Sequence, residues 1–119
     1  MNIEIHHINN EQIAEVVSDK IILAKLEDAL DLLGNLYYQG FDKILIHEEN
    51  IIAEFFDLKS RLAGEILQKF STYGLRLAIV GDFSKYASKS LKDFIYESNK
   101  GKQVCFVNSV SEGINKLLQ

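Results

Sequence analysis

The period of apolar and polar residues changes along the chain and divides it into strands and helices. Residues 2–8 alternate, which predicts a strand with one solvated face. Asn9 and Asn10 mark a turn, and the mostly apolar segment at 13–17 predicts the returning strand. The chain therefore begins with a predicted β-hairpin.

Four later segments carry apolar residues at the three- and four-residue spacing of an amphipathic helix. Capping residues and glycines bound them. The predicted helices are residues 26–38 with Gly40 beyond, 58–73 with Asp57 as N-cap and Gly74 beyond, a stretch from Ser84 or Ser88 to Gly101, and a last helix opened by the capping box of Ser109 and Glu112.

Short segments rich in apolar residues separate these helices at 43–47, 75–80 and 104–107, and Ile44, Leu45 and Ile46 form a continuous apolar run in the first of them. Such runs are typical of strands that are buried on both faces of a parallel sheet. The order β-β-α-β-α-β-α-β-α predicts an α/β fold, in which an N-terminal β-hairpin is followed by alternating α/β units. The expected sheet is mixed, mostly parallel and about five-stranded, with four main helices.

Composition places the chain among ordinary globular proteins. It has 119 residues, 47% of them hydrophobic and 25% charged, with no proline, which predicts one domain over residues 1–119. The single cysteine excludes an intramolecular disulfide, and no apolar run approaches the roughly 20 residues of a membrane span. The first ten residues lack the apolar core of a signal peptide, so we expect a cytoplasmic protein without a membrane partner.

Charge argues against nucleic-acid partners. The formal net charge is −4 and the isoelectric point is about 5.3, whereas nonspecific nucleic-acid binding needs a basic face. Five lysines between Lys85 and Lys102 run against this trend. We interpret them as a solvated helix face rather than an anion-binding patch.

Polar residues follow two of the predicted buried strands. His47, Glu48 and Glu49 follow one strand, and Asp82 follows another. Ligands of open parallel sheets bind outside the carboxyl ends of the strands, so these side chains would suit metal binding or acid–base chemistry there. They would equally suit loop caps. The candidate polar pocket comprises His47, Glu48, Glu49, Asp57, Asp82, Ser84 and Lys85.

No cofactor, metal site or catalytic residue is predicted. Gly81 alone is not a phosphate-binding loop, and neither a GxGxxG nor a Walker pattern is present. Cys105 lies in an apolar strand and is expected to be a buried hydrophobic residue. His6 and His7 lie on one strand, one facing in and one facing out, and are expected to be surface or hydrogen-bonded histidines.

An apolar loop stands where polar residues are expected. It contains Ile51, Ile52, Phe55 and Phe56. One interpretation is an exposed patch that docks a partner. The other is a lid that closes the end of the sheet and packs on the helix predicted at 58–73.

The segments IHEENI, EFFDL, GEILQKF, AIVGDFSKY and FIYESNKG closely resemble small bacterial proteins of domain-of-unknown-function family 4180. The resemblance covers nearly the whole chain and implies no particular activity. The element order is also similar to STAS domains, the fold of bacterial anti-sigma-factor antagonists.

The resemblance to STAS domains implies a phosphorylated serine in an Asp-Ser-Ser-Gly turn at the start of a helix. Here Asp57 is retained, but Leu58 and Lys59 occupy the serine positions. Ser60 lies one residue further on, in what would be the first helical turn, where a phosphate is electrostatically favoured.

Two functional hypotheses follow. The first is a non-enzymatic, STAS-like interaction or regulatory module whose partner is another protein, docked on Phe55 and Phe56. A homodimer is compatible with the edge strand that the hairpin would leave. The alternative is a small-molecule-binding protein or metal-dependent enzyme that uses His47, Glu49 and Asp82 at the carboxyl ends of the predicted strands.

Overall fold

A five-stranded mixed sheet forms the centre of the computed structural model, which describes residues 1–119. The strands are β1 (Asn2–Ile8), β2 (Glu11–Val17), β3 (Lys43–His47), β4 (Arg76–Val80) and β5 (Val104–Val107). Their order in the sheet follows the chain, β1-β2-β3-β4-β5. The first pair is antiparallel and the other three pairs are parallel, which confirms the predicted α/β class.

The helices are α1 (Leu26–Tyr38), α2 (Leu62–Thr72), α3 (Lys89–Lys100) and α4 (Val110–Leu117). The predicted α2 began too early. The chain first makes a short 3₁₀ turn at Leu58–Ser60, and Arg61 interrupts it with a left-handed φ of 65°. Asp57 caps this turn and not α2, because its carboxylate accepts the N–H of Lys59 at 3.2 Å.

The two faces of the sheet are covered unequally. Each of the helices α1, α2 and α3 connects neighbouring parallel strands in the same direction, and right-handed crossovers place them on one face. That face holds the larger core, with 21 buried residues. On the other face α4 packs alone on β3, β4 and β5, at the far end of the sheet from β1, over a core of seven buried residues.

The apolar loop belongs to the larger core. Ile51, Phe55 and Phe56 are buried and Ile52 is half-buried, which agrees with the lid and not with an exposed patch. The physical reason is that the loop covers the end of the sheet, where hydrogen bonds hold it in place. Asn50 donates from Nδ2 to the carbonyls of two residues in the segment after β2, at 2.8 and 2.9 Å.

None of the helices combines the length and the apolar character needed to cross a membrane.

Candidate functional site

An open cleft of about 600 Å³ lies at the carboxyl ends of β3 and β4. The chain turns away from the sheet at these ends, and the following loops build the walls. Four of the seven residues that the sequence predicts as a polar pocket line the cleft. They are His47, Glu48, Glu49 and Lys85. Its apolar side is formed by Ile21, Ile51, Ala53, Phe56 and Val80.

Glu48 is the central polar group of the cleft. Its side chain is only 11% exposed, and Lys85 Nζ lies 2.8 Å from Oε2. The same oxygen accepts a hydrogen bond from the hydroxyl of Tyr86. Burial and this contact with Glu48 raise the pKa of Tyr86, so its hydroxyl is a donor at neutral pH. The Tyr86 ring stacks on Phe56 with 5.2 Å between centroids, which joins the polar and apolar walls.

Gly81 is required by the close approach of Glu48. A Cβ atom at this position would lie 2.6 Å from Cβ of Glu48 and 2.5 Å from its Oε1. The first contact involves an atom fixed to the backbone, so no side-chain rotation can relieve it. The glycine at the end of β4 therefore lets the buried carboxylate enter the cleft.

We expect Gly81→Ala to lower the free energy of unfolding by about 1–3 kcal/mol, because the added methyl group overpacks the space occupied by Glu48. Urea denaturation of the two proteins measures the difference. Gly34→Ala is the matched control, since Gly34 is a helical glycine with no atom within 4 Å of the added Cβ. That change should stabilise the protein by about 0.5–1 kcal/mol. A neutral Gly81→Ala would contradict the geometry.

The remaining predicted pocket residues lie outside the cleft. Asp82 is exposed and accepts hydrogen bonds from the N–H and the hydroxyl of Ser84, at 3.1 and 2.6 Å. These bonds lower the pKa of Asp82. Asp57 caps the 3₁₀ turn described above. The structure thus brings His47 and Glu49 together in one cleft but leaves Asp82 in a loop cap of its own.

The hydroxyl of Ser60 is engaged with the backbone. Its Oγ lies 2.6 Å from the carbonyl oxygen of Glu54 and 2.8 Å from that of Asp57, and it accepts the N–H of Leu62 at 3.2 Å. This serine therefore closes the turn that leads into α2. A phosphate on Ser60 would have to break these contacts.

A second polar cluster adjoins the cleft through His47. Glu15, in the middle of β2, has a side chain that is only 9% exposed. His6 Nε2 lies 2.8 Å from its Oε1, and His47 Nε2 lies 2.7 Å from its Oε2. Burial alone would raise the pKa of Glu15, but the hydrogen bonds from His47 and His6, together with the charge interactions with the same two residues, leave that pKa lowered.

Glu15 was not predicted as a site residue, and His6 was predicted only to be a surface or hydrogen-bonded histidine. A signal was present, because Glu15 stands inside an otherwise apolar strand between Ala14 and Val16. A carboxylate in such a strand is buried only with partners. The partners could not be predicted, because His6 comes from β1 and His47 lies 32 residues further along the chain than Glu15.

Cys105 is buried, as predicted, and burial raises the pKa of its thiol. It lies outside both polar sites. The neutral thiol behaves as a small apolar side chain in the core beneath α4.

The chain is similar to a known protein family. A family described as a domain of unknown function (DUF4180) matches residues 8–117, which is nearly the whole chain. No curated protein and no solved structure matches significantly. The likeness to STAS domains therefore stays a prediction.

Proposed function

The chain belongs to the DUF4180 family, and we propose that it is a small-molecule-binding domain whose ligand occupies the cleft at the ends of β3 and β4. The observation that carries the proposal is the largely buried carboxylate of Glu48, held by Lys85 and Tyr86 beside an apolar wall. Ligand sites combine a mostly apolar lining with a few oriented polar groups in this way. The interaction hypothesis, in contrast, loses its best anchor, because Phe55 and Phe56 of the loop are buried.

The charges of the cleft indicate the class of ligand. Glu48 and Glu49 contribute two carboxylates and Lys85 contributes one ammonium group, so the lining carries a formal charge of about −1 when His47 is neutral. Oε2 of Glu48 already has two partners, whereas no hydrogen bond occupies its Oε1. This favours a compact ligand with a cationic or hydrogen-bond-donating head and an apolar body.

A pair of probes of opposite charge tests the proposal. We expect 2-phenylethylamine at millimolar concentration to shift the amide ¹H–¹⁵N signals of Gly81, Lys85 and Glu49, and 3-phenylpropionate to shift them several-fold less. Glu48→Gln should weaken the response to the amine. Asp93→Asn, which alters an exposed carboxylate of α3, should leave the response unchanged.

Two outcomes would overturn the proposal. The first is that neither compound shifts the signals of the cleft. The second is that Glu48→Gln and Asp93→Asn respond to the amine as the unaltered protein does, because binding would then not involve the cleft.

A further inference from the structure

A compact group of metal-ligating side chains lies on β1 and β2, on the face of the sheet that α4 covers only over β3, β4 and β5. Glu4 of β1 lies directly opposite Glu15 of β2 in the antiparallel pair, and His6 lies two residues further along the same strand. Residues two apart on a strand share a face of the sheet, as do directly opposed residues. One ligand atom from each of Glu4, His6 and Glu15 lies within 4.8 Å of the other two.

The donor atoms are close enough to share an ion. Two ligand atoms at about 2.1 Å from one Zn²⁺ lie roughly 3–3.4 Å apart in tetrahedral geometry. The observed 2.8 Å between His6 Nε2 and Glu15 Oε1 needs only a small expansion. Glu15 is nearly buried and fixed, whereas Glu4 is exposed and free to close on an ion that enters from solvent.

His47 supports this arrangement from the opposite side. It holds Oε2 of Glu15 at 2.7 Å, so the carboxylate is oriented with Oε1 towards His6. Carboxylates that bind metals are commonly held by such a second hydrogen bond, and loss of the holding residue typically costs 10–100-fold in metal affinity. His47 is therefore a positioning residue of the cluster.

We propose that Glu4, His6 and Glu15 bind a transition-metal dication of the Zn²⁺ or Mn²⁺ class. The ligand set contains one imidazole nitrogen and two carboxylates. Imidazole favours Zn²⁺ and related ions, whereas Mg²⁺ and Ca²⁺ prefer sites made only of oxygen. Three protein ligands would leave a position for water. The three metal ligands lie outside the proposed ligand cleft, and His47 is the residue that the two sites share.

His7 provides an internal control for the proposal. It is the neighbouring residue on β1, it carries the same side chain, and it faces the opposite side of the sheet, where it is exposed. A metal that binds any accessible histidine would not distinguish His6 from His7. A metal bound at the cluster would.

The test is calorimetric titration of Zn²⁺ into the full chain after dialysis against EDTA. We expect one ion per chain, an affinity for Mg²⁺ at least about 100-fold weaker, and no change in His7→Ala. His6→Ala and Glu4→Gln should each weaken Zn²⁺ binding at least about 100-fold, and His47→Ala about 10–100-fold. The ring ¹H–¹⁵N signals of His6 should shift on addition of Zn²⁺ while those of His7 stay in place.

Equal binding by the unaltered protein, His6→Ala and Glu4→Gln would overturn the proposal, and so would the absence of stoichiometric binding. Glu4 is exposed, so Glu4→Gln tests the site even if substitutions at Glu15 impair folding. Glu48→Gln separates the two proposals. It should bind Zn²⁺ normally, whether or not the cleft binds the amine.

Discussion

Phe55→Ala should lower the free energy of unfolding by about 3–5 kcal/mol, the loss typical of a phenylalanine deleted from a packed core. Phe55 is only 1% exposed and lies in the larger core. Its ring contacts that of Phe56 edge to face, with 5.0 Å between centroids. Removal would leave a cavity beneath the loop that also supplies one wall of the cleft. Urea denaturation followed by circular dichroism measures the loss.

Tyr38→Ala is the control for this experiment. The Tyr38 side chain is 93% exposed at the end of α1, so its removal should change stability by no more than about 0.5 kcal/mol. If Phe55→Ala cost as little as Tyr38→Ala, the loop could not be part of the core. The exposed docking patch would then regain its support.

The regular elements could be predicted because local pattern and tertiary environment agree in them. Residues 44–46 form a fully apolar strand and are fully buried. Leu26–Tyr38 has the predicted bounds, since the apolar stripe and the glycine beyond it both favour the same helix. The predicted start of α2 was wrong because the spacing of apolar residues does not show that Arg61 has a left-handed backbone conformation.

The loop at 51–56 shows why burial was harder to predict than secondary structure. An apolar residue outside a periodic segment has two physical outcomes, exposure for a partner or burial against its own sheet, and composition does not separate them. The decision depends on the backbone contacts. The side-chain amide of Asn50 and the β-bridge between Leu23 and Ile51 hold the loop over the sheet. Neither contact can be predicted from the local pattern of apolar and polar residues.

The two polar sites were predictable to different degrees. The cleft lies where parallel strands expose their carboxyl ends together, and residues that follow β3 and β4, among them Glu48 and Lys85, line it, whereas Asp82 does not. The cluster around Glu15 depends on register, because His6 and His47 come from the strands on either side. A one-residue shift in either strand would turn its histidine to the other face. Register cannot be assigned from one sequence, so this cluster required the structure.

Arg76 explains how a helix as short as α4 stays on its face of the sheet. The guanidinium group donates to the carbonyls of Lys116, Leu117 and Gln119 at 3.0, 2.7 and 3.0 Å. Its Nε donates to the carbonyl of Lys102 at 2.6 Å. The carbonyls at a helix C-terminus lack partners within the helix and carry partial negative charge, so a cation there both satisfies and neutralises them.

We therefore expect Arg76→Ala to lower the free energy of unfolding by about 2–4 kcal/mol, because bonds from a charged donor to several backbone acceptors are lost together. Urea denaturation gives the loss. Amide hydrogen exchange should show that protection falls most in α4, and a lower m-value would indicate that α4 is already detached in the native state. Lys89→Ala, which removes an exposed cation paired with Asp93, should cost no more than about 0.5 kcal/mol. If Arg76→Ala were as mild as Lys89→Ala, the apolar contacts of α4 alone would hold the helix in place.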